Sequence, residues 1–218
     1  MQAEDVAAVS RFLAEADSHR PEFERTQVIS SGTPWPYALL EWEPLQAAPG
    51  CARRVIDVVH AHTARLREIV AEHGWPGRSV AGEDGADAAW LMLQHTNSRV
   101  TTIRSAEGDE FCRSCVPLLR DAVACGEAHP RHLAAIADSL RLADDQPPDY
   151  ASLPDQYELD DHGQAVFRWN VDAREIDQRR AAIGLPPLAA DLARRPSGAP
   201  EHEIGPGLWE PWPAVRPQ

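Results

Sequence analysis

Apolar residues recur every three or four positions over much of the chain, and this spacing predicts amphipathic helices. The clearest predicted helix covers residues 51–73 and ends at Gly74, which Pro76 follows closely, a common way for a helix to stop. The same spacing predicts further helices over residues 4–17, 84–96, 109–125, 130–143 and 171–184. The helix over 84–96 is apolar on almost every side, so we expect it to lie in the core.

Prolines and turn residues break this pattern in three places. The prolines from Pro34 to Pro49 exclude a long regular element over residues 18–50. Short alternating pieces flank Asp160-Asp161-His162-Gly163, which predicts a β-hairpin near residues 156–170. Residues 196–218 are rich in proline and glycine. The sequence therefore predicts a mainly α single domain over residues 1–195, with about six helices, a small hairpin and an irregular carboxyl tail.

The charge of the chain excludes several classes of function. The formal net charge is -13, from 34 acidic and 21 basic residues, and every basic residue is arginine. An acidic field repels phosphate backbones and anionic membranes, so we expect no nucleic-acid or membrane partner. The absence of lysine excludes a Schiff-base lysine and the phosphate-binding lysines of P-loop proteins and kinases. With no basic start and apolar run at its amino end, the protein is expected in the cytoplasm.

Gln94 and His95, near the end of the predicted core helix, are the sharpest candidates for chemistry. An imidazole titrates near neutrality, so His95 could act as a general base while Gln94 orients a ligand. The alternative is that His95 only makes hydrogen bonds within a packed interior. His132 and Asp138 lie on a later predicted helix and could support the reaction as polar groups.

We expect neither a metal ion nor an organic cofactor. His73, His95 and His132 lie on separate predicted helices and could together hold a metal, but nothing in their spacing requires this. Cys112 and Cys115 have the spacing of a redox or zinc pair. They lie on a predicted helix without a preceding strand or a second pair, so we interpret them as buried or incidental.

Trp75, Trp90 and Tyr150 are candidate walls of a small-molecule pocket, because large aromatic side chains with a polar group often line such sites. Ordinary packing in the core and loops is the alternative. Arg179-Arg180 could hold a carboxylate or a phosphate, although an exposed helical face is the commoner arrangement for such a pair.

An ordered series of short motifs extends from about Thr63 to Leu188. It includes Gly74-Trp75-Pro76, Gln94-His95, Leu133 through Asp138, Tyr150, and Gly184-Leu185-Pro186-Pro187-Leu188. This series resembles a bacterial family of unknown function, domain of unknown function 6624. The resemblance implies a shared fold and no defined activity.

The chain departs from the family pattern where the family looks most reactive. Asn97 stands in place of the usual Asp, and Ser139 in place of the usual Arg. Tyr150-Ala151-Ser152-Leu153 replaces the usual Tyr-Gly-Thr-Gln. These changes imply an altered site, in which we expect Asn97 to contact the substrate.

The leading prediction is an enzyme that acts on a small organic molecule by acid/base catalysis, in a specialised biosynthetic role. The predicted catalytic group comprises His95, Gln94, His132 and Asp138. The predicted substrate contacts comprise Trp75, Trp90, Tyr150 and Asn97. The alternative is a non-catalytic binding or protein-interaction module with a degenerate ancestral site. Formation of a homodimer is left open.

Overall fold

The computed structural model describes residues 3–26, 35–97, 103–162, 164–193 and 212. Within these ranges the regular structure consists of seven α-helices and one two-stranded hairpin, which confirms the predicted mainly α fold class. The helices are α1 (Ala3–Thr26), α2 (Gly50–His73), α3 (Arg78–Thr96), α4 (Ala106–Ala124), α5 (Pro130–Ala143), α6 (Ala173–Ala182) and α7 (Leu188–Leu192). The strands are β1 (Tyr157–Leu159) and β2 (Ala165–Phe167).

The chain divides into two compact units. The first unit consists of Met1–His73 and Ala88–Phe111, and the second of Gly74–Asp87 and Cys112–Gln218. The three boundaries therefore fall at the end of α2, within α3 and within α4. None of the helices in the described part of the chain is both long enough and apolar enough to span a bilayer.

In the first unit, α1 is longer than the sequence predicts. It continues through Pro21 to Thr26 instead of ending near residue 17. Phe23 is buried, and its ring centroid lies 5.6 Å from that of Trp35 and 6.0 Å from that of Trp42. This aromatic packing offsets the backbone hydrogen bond that a proline removes from a helix interior. The expectation that no long helix enters residues 18–50 was therefore wrong for their first part.

The core of the first unit forms around α2, whose bounds match the prediction to within one residue. Its apolar stripe includes Val55, Ile56 and Val59, which are buried together with Phe12 of α1 and Leu39. Residues 37–41 and 45–47, predicted to be irregular, form short 3₁₀ turns. Burying each such large apolar side chain contributes about 1.5–3 kcal/mol, which explains why α1 packs against α2.

The helix α3 begins earlier than predicted and contains a break. Gly82 has a φ of 73° and a ψ of 168°, a backbone conformation that only glycine adopts readily. The predicted start at residue 84 corresponds to the segment after this break. Farther along, α4 accommodates Pro117, and α5 has the predicted bounds, with His129 as its amino-terminal cap. The imidazole Nδ1 of His129 accepts a hydrogen bond from the backbone amide of Arg131 at 3.2 Å.

The rest of the second unit follows α5 with the hairpin and two short helices. The strands β1 and β2 pair antiparallel, with Glu158 opposite Val166, and confirm the predicted hairpin. Gly163 of the predicted turn lies outside the described residues, as does the predicted tail over 196–218 except for Trp212. The short helix α7 was not predicted. Its Leu188 is buried with Tyr157 in a small apolar cluster.

Candidate functional site

Three side chains with polar groups share one face at the end of α3. Trp90, Gln94 and Asn97 are spaced by four and three residues, which places them on one side of a helix. Trp90 and Asn97 are buried, and Gln94 is half-buried. Gln94 Oε1 and Asn97 Nδ2 are buried and have no hydrogen-bond partner within the described part of the chain. Such atoms are rare in proteins and call for an explanation, often an ordered water or a ligand.

His95 follows Gln94 on α3 and is exposed to solvent. One position from Gln94 and two from Asn97 along the helix, it projects from a different face. Protein atoms nevertheless crowd its imidazole. The resulting desolvation, together with the nearby His62, lowers the pKa of His95. The imidazole is therefore neutral near pH 7, the state that can accept a proton.

Hydroxyl groups and a close backbone approach hold the end of α3 in place. Thr96 Oγ1 donates to the carbonyl of Met92 at 2.9 Å and lies 2.8 Å from Thr63 Oγ1 on α2. A Cβ atom at Gly108 would lie only 3.0 Å from the Thr96 carbonyl oxygen. Because a larger residue would crowd this contact, glycine at position 108 permits the close approach of α4 to the end of α3. The helix end that carries Gln94, His95 and Asn97 thus contacts both α2 and α4.

An open cleft of about 290 Å³ also lies in the first unit. His60, Thr63 and Arg67 line it from one face of α2, and Glu107 contributes from α4. Arg67 donates to the Glu107 carbonyl at 2.6 Å, and its guanidinium lies 4.8 Å from the ring centroid of Phe111. Small-molecule pockets begin at about 300 Å³, so the cleft suits a ligand of few atoms. The sequence offers one signal for this cleft, the helical spacing of the α2 residues that line it.

In the second unit, Asp138 organises a loop. It is fully buried on α5. Its carboxylate accepts hydrogen bonds from the backbone amides of Asp149, Tyr150 and Ser152 at 2.7–3.1 Å and from the Ser152 hydroxyl at 2.8 Å. Burial raises the pKa of Asp138, and these hydrogen bonds oppose that increase. Four donors use the whole accepting capacity of a carboxylate, so the geometry gives Asp138 a structural role.

The loop held by Asp138 contains a residue in an unusual backbone conformation. Ala151 has a φ of 51°, in the left-handed region that favours glycine. Tyr150 is buried beside it, and desolvation raises the pKa of its phenol. The hydrogen bonds of Asp138 to the residues on both sides of Ala151 hold this conformation.

His132 occupies a different environment on α5. It is buried, and its Nε2 lies 3.1 Å from Asp87 Oδ1. The ring centroids of His129 and Trp212 lie 5.7 Å and 5.6 Å from that of His132. Burial and the neighbouring His129 lower the pKa of His132 to about 3. His132 is therefore a neutral imidazole at physiological pH.

The arginine pair on α6 differs from the commoner arrangement given above, because Arg180 is fully buried. Arg180 and Arg131 both form ion pairs with the buried carboxylate of Asp191 on α7. Arg180 also donates to the Tyr150 carbonyl at 2.8 Å, and Arg179 donates to the Asp149 carbonyl at 2.8 Å. Arg180 does hold a carboxylate, as the sequence suggested, but that carboxylate belongs to the chain itself.

The other candidates fall outside these clusters. Trp75 is half-buried in the loop before α3, and its indole Nε1 has no hydrogen-bond partner in the described ranges. His73 is exposed beside Glu72. Cys112 and Cys115 are buried, in line with the interpretation from the sequence. The one group of potential metal ligands found among the described residues includes none of His73, His95 and His132.

The predicted site residues thus form two sets. Trp90, Gln94, His95 and Asn97 lie together at the end of α3 in the first unit. Asp138 and Tyr150 are in direct contact in the second unit, which also contains His132 and Trp75. No family model matches the chain, and neither the curated proteins nor the solved structures contain a significant match.

Proposed function

We propose that the protein is an enzyme that performs acid/base catalysis on a small polar molecule, with His95 as the base. The observation that carries this proposal is that Gln94 Oε1 and Asn97 Nδ2 are buried without a hydrogen-bond partner among the described residues, at the helix end that also carries the neutral imidazole of His95. Gln94 Oε1 accepts and Asn97 Nδ2 donates. A matching substrate offers one hydrogen-bond donor and one acceptor, as a primary amide or a hydroxy acid does.

His95 is suited to removing a proton from such a substrate. Its lowered pKa keeps the ring neutral at pH 7, and its exposure lets a substrate reach it. A positioned general base typically accelerates a reaction by about 10²–10⁴-fold. Because the base must be neutral, the rate is expected to fall as the pH drops through the pKa of His95, which lies below 6.5.

Gln94 and Asn97 would supply selectivity. A site with buried polar groups rejects analogues that leave those groups unpaired, because each unpaired group costs about 1–3 kcal/mol. We assign Trp90 to the wall of this site, since it shares the helix face. His132, Asp138, Tyr150 and Trp75 have no assigned contact with the substrate in this proposal.

The proposal is tested by screening small amides and hydroxy acids for binding by ligand-observed NMR, and then assaying bound compounds for turnover. We expect Asn97→Leu to weaken binding by about tenfold or more, the equivalent of one lost hydrogen bond. We expect His95→Gln to retain binding and to lower the turnover rate by about 10²–10⁴-fold.

The matched control is His73→Gln, which replaces an exposed histidine and should change neither quantity. Unchanged turnover in His95→Gln would exclude His95 as the base. Binding that is insensitive to both Asn97→Leu and Gln94→Met would exclude the amide pair as the ligand contact.

A second candidate function is binding without catalysis in the cleft lined by His60 and Arg67. The cleft volume of about 290 Å³ and the positive charge of Arg67 in its wall favour a small anion as the ligand. This candidate is distinguished by Arg67→Met, which should abolish binding that Asn97→Leu leaves intact. Turnover that depends on His95 would rule it out as the sole function.

A further inference from the structure

A cluster of three different potential metal ligands lies in the first unit, on α1 and α2. Glu15 and His19 come from α1, and Cys51 comes from the first turn of α2. One ligand atom from each residue lies within 4.8 Å of the other two. The cluster shares no residue with the α3 end or with the cleft.

The fold brings these ligands together for a simple reason. Glu15 and His19 are four residues apart on one helix, so their side chains project from the same face. Because α1 packs against α2, the amino end of α2 presents Cys51 to that face. In a tetrahedral site with metal–ligand bonds of about 2.0–2.3 Å, the ligand atoms are about 3.3–3.8 Å apart. Side-chain rotations that shorten the distances between the ligand atoms by about 1 Å would bring the three atoms to the separations of such a site.

The donor types point to one class of metal. A thiolate, an imidazole and a carboxylate are the three ligand types that zinc takes in proteins. We propose that Glu15, His19 and Cys51 form a zinc-type site for a divalent transition-metal ion, with water as the fourth ligand. Cys51 and His19 are half-buried, which protects the ligands, while the exposed Glu15 leaves a path for the ion.

The three ligands come from both helices of the pair, Glu15 and His19 from α1 and Cys51 from α2. The ion would therefore join α1 to α2 and stabilise the first unit.

The site is tested on the full chain without an affinity tag, after treatment with a chelator. Addition of Co²⁺ should produce a thiolate-to-cobalt charge-transfer band in the near ultraviolet, and Zn²⁺ should displace the cobalt and abolish the band. Cys51→Ser should eliminate the band. His19→Gln should weaken Co²⁺ binding by more than about tenfold, because even outer partners of metal ligands contribute about 10–100-fold.

The matched control is Cys125→Ser, because Cys125 is an exposed free cysteine outside the cluster. This variant should keep the full band, and circular dichroism of each variant verifies its folding. Zn²⁺ should also raise the melting temperature of the wild type and leave that of His19→Gln unchanged. The proposal is overturned if the wild type shows no saturable band, or if Cys51→Ser retains it. Neither outcome affects the His95 proposal, which is judged by turnover.

Discussion

Asp138 of the second unit and Asn97 of the first are both buried polar side chains, but their hydrogen bonds differ completely. The Asp138 carboxylate accepts four hydrogen bonds from one loop. The Asn97 amide nitrogen has no partner in the described part of the chain, and the same holds for Gln94 Oε1. Asp138 and Asn97 are therefore both buried, but the hydrogen-bonding capacity of Asp138 is satisfied and that of the Asn97 amide nitrogen is not.

This difference distinguishes a residue that stabilises the fold, Asp138, from residues that could bind a ligand, Asn97 and Gln94. A carboxylate that has used all its lone pairs stabilises the fold and has no capacity left for a substrate. An unpartnered buried amide destabilises the fold slightly, and a ligand that pairs with it recovers that free energy. Residue type alone does not distinguish these cases, since both side chains read as candidates in the sequence.

The largest expected effect comes from removing the framework interaction. Asp138→Asn replaces one accepting oxygen by an NH₂ group, so two of the donors from the loop lose their acceptor. At about 1–3 kcal/mol for each unsatisfied donor, we expect a loss of about 2–6 kcal/mol in the free energy of unfolding. Urea denaturation measures this change.

The control for Asp138→Asn is Asp144→Asn at the end of the same helix. Asp144 pairs with Arg113 in an exposed ion pair at 2.8 Å. Such pairs contribute at most about 1 kcal/mol, so this variant should remain close to the wild type. Equal losses in the two variants would contradict the framework role of Asp138.

An effect of intermediate size on stability is expected from the protonation of His132. Its side chain is buried, and its Nε2 lies near the Asp87 carboxylate. Its pKa is about 3 in the folded protein, whereas an unfolded chain titrates near 6.5. Between these values the unfolded state binds more protons, so stability is complete above pH 6.5 and is lost toward pH 3. The loss is on the order of a few kcal/mol, because the two pKa values differ by several units.

His132→Gln should flatten this pH dependence when urea unfolding is measured at several pH values between 3 and 7. The pKa of Asp87 is raised by burial, so its titration changes the stability with pH in the opposite direction to that of His132. Only the difference between the wild type and the variant is therefore diagnostic. His73→Gln should leave the slope unchanged, since His73 is exposed.

The smallest effect, with the opposite sign to that of Asp138→Asn, is expected at the candidate site. Asn97→Leu has a similar volume and removes a buried amide without a partner, so stability should stay equal or rise by up to about 1 kcal/mol. Urea denaturation in the absence of ligand provides the measurement. A loss of more than about 1 kcal/mol would mean that the amide supports the fold, and the contrast with Asp138 would disappear.

Helical periodicity predicted most of the fold, since burial of one apolar face is what selects these helices. The α2 and α5 bounds agree closely with the structure because strong end signals flank them. The extension of α1 through Pro21 depends on contacts of Phe23 with Trp35 and Trp42, which are distant in sequence. Local patterns carry no information on such contacts.

The candidate site was only partly accessible to prediction from the sequence. Gln94 and His95 stand out because a polar pair interrupts an apolar helix. That Gln94 Oε1 lacks a partner depends on the surrounding packing, and so does the saturation of Asp138. The Glu15, His19 and Cys51 cluster was also missed, because its members come from two helices and Cys51 is 32 residues from His19 along the chain.

The ion pairs of Asp191 set a physical limit on how short the second unit can be. The five-residue helix α7 buries Leu188 and Asp191 and exposes the two alanines between them. Asp191 neutralises both Arg131 and Arg180, each of which is buried. A chain that ended before this carboxylate would deprive both buried cations of their shared anion. The carboxyl boundary of the unit therefore lies no earlier than Asp191, and this limit is an electrostatic one.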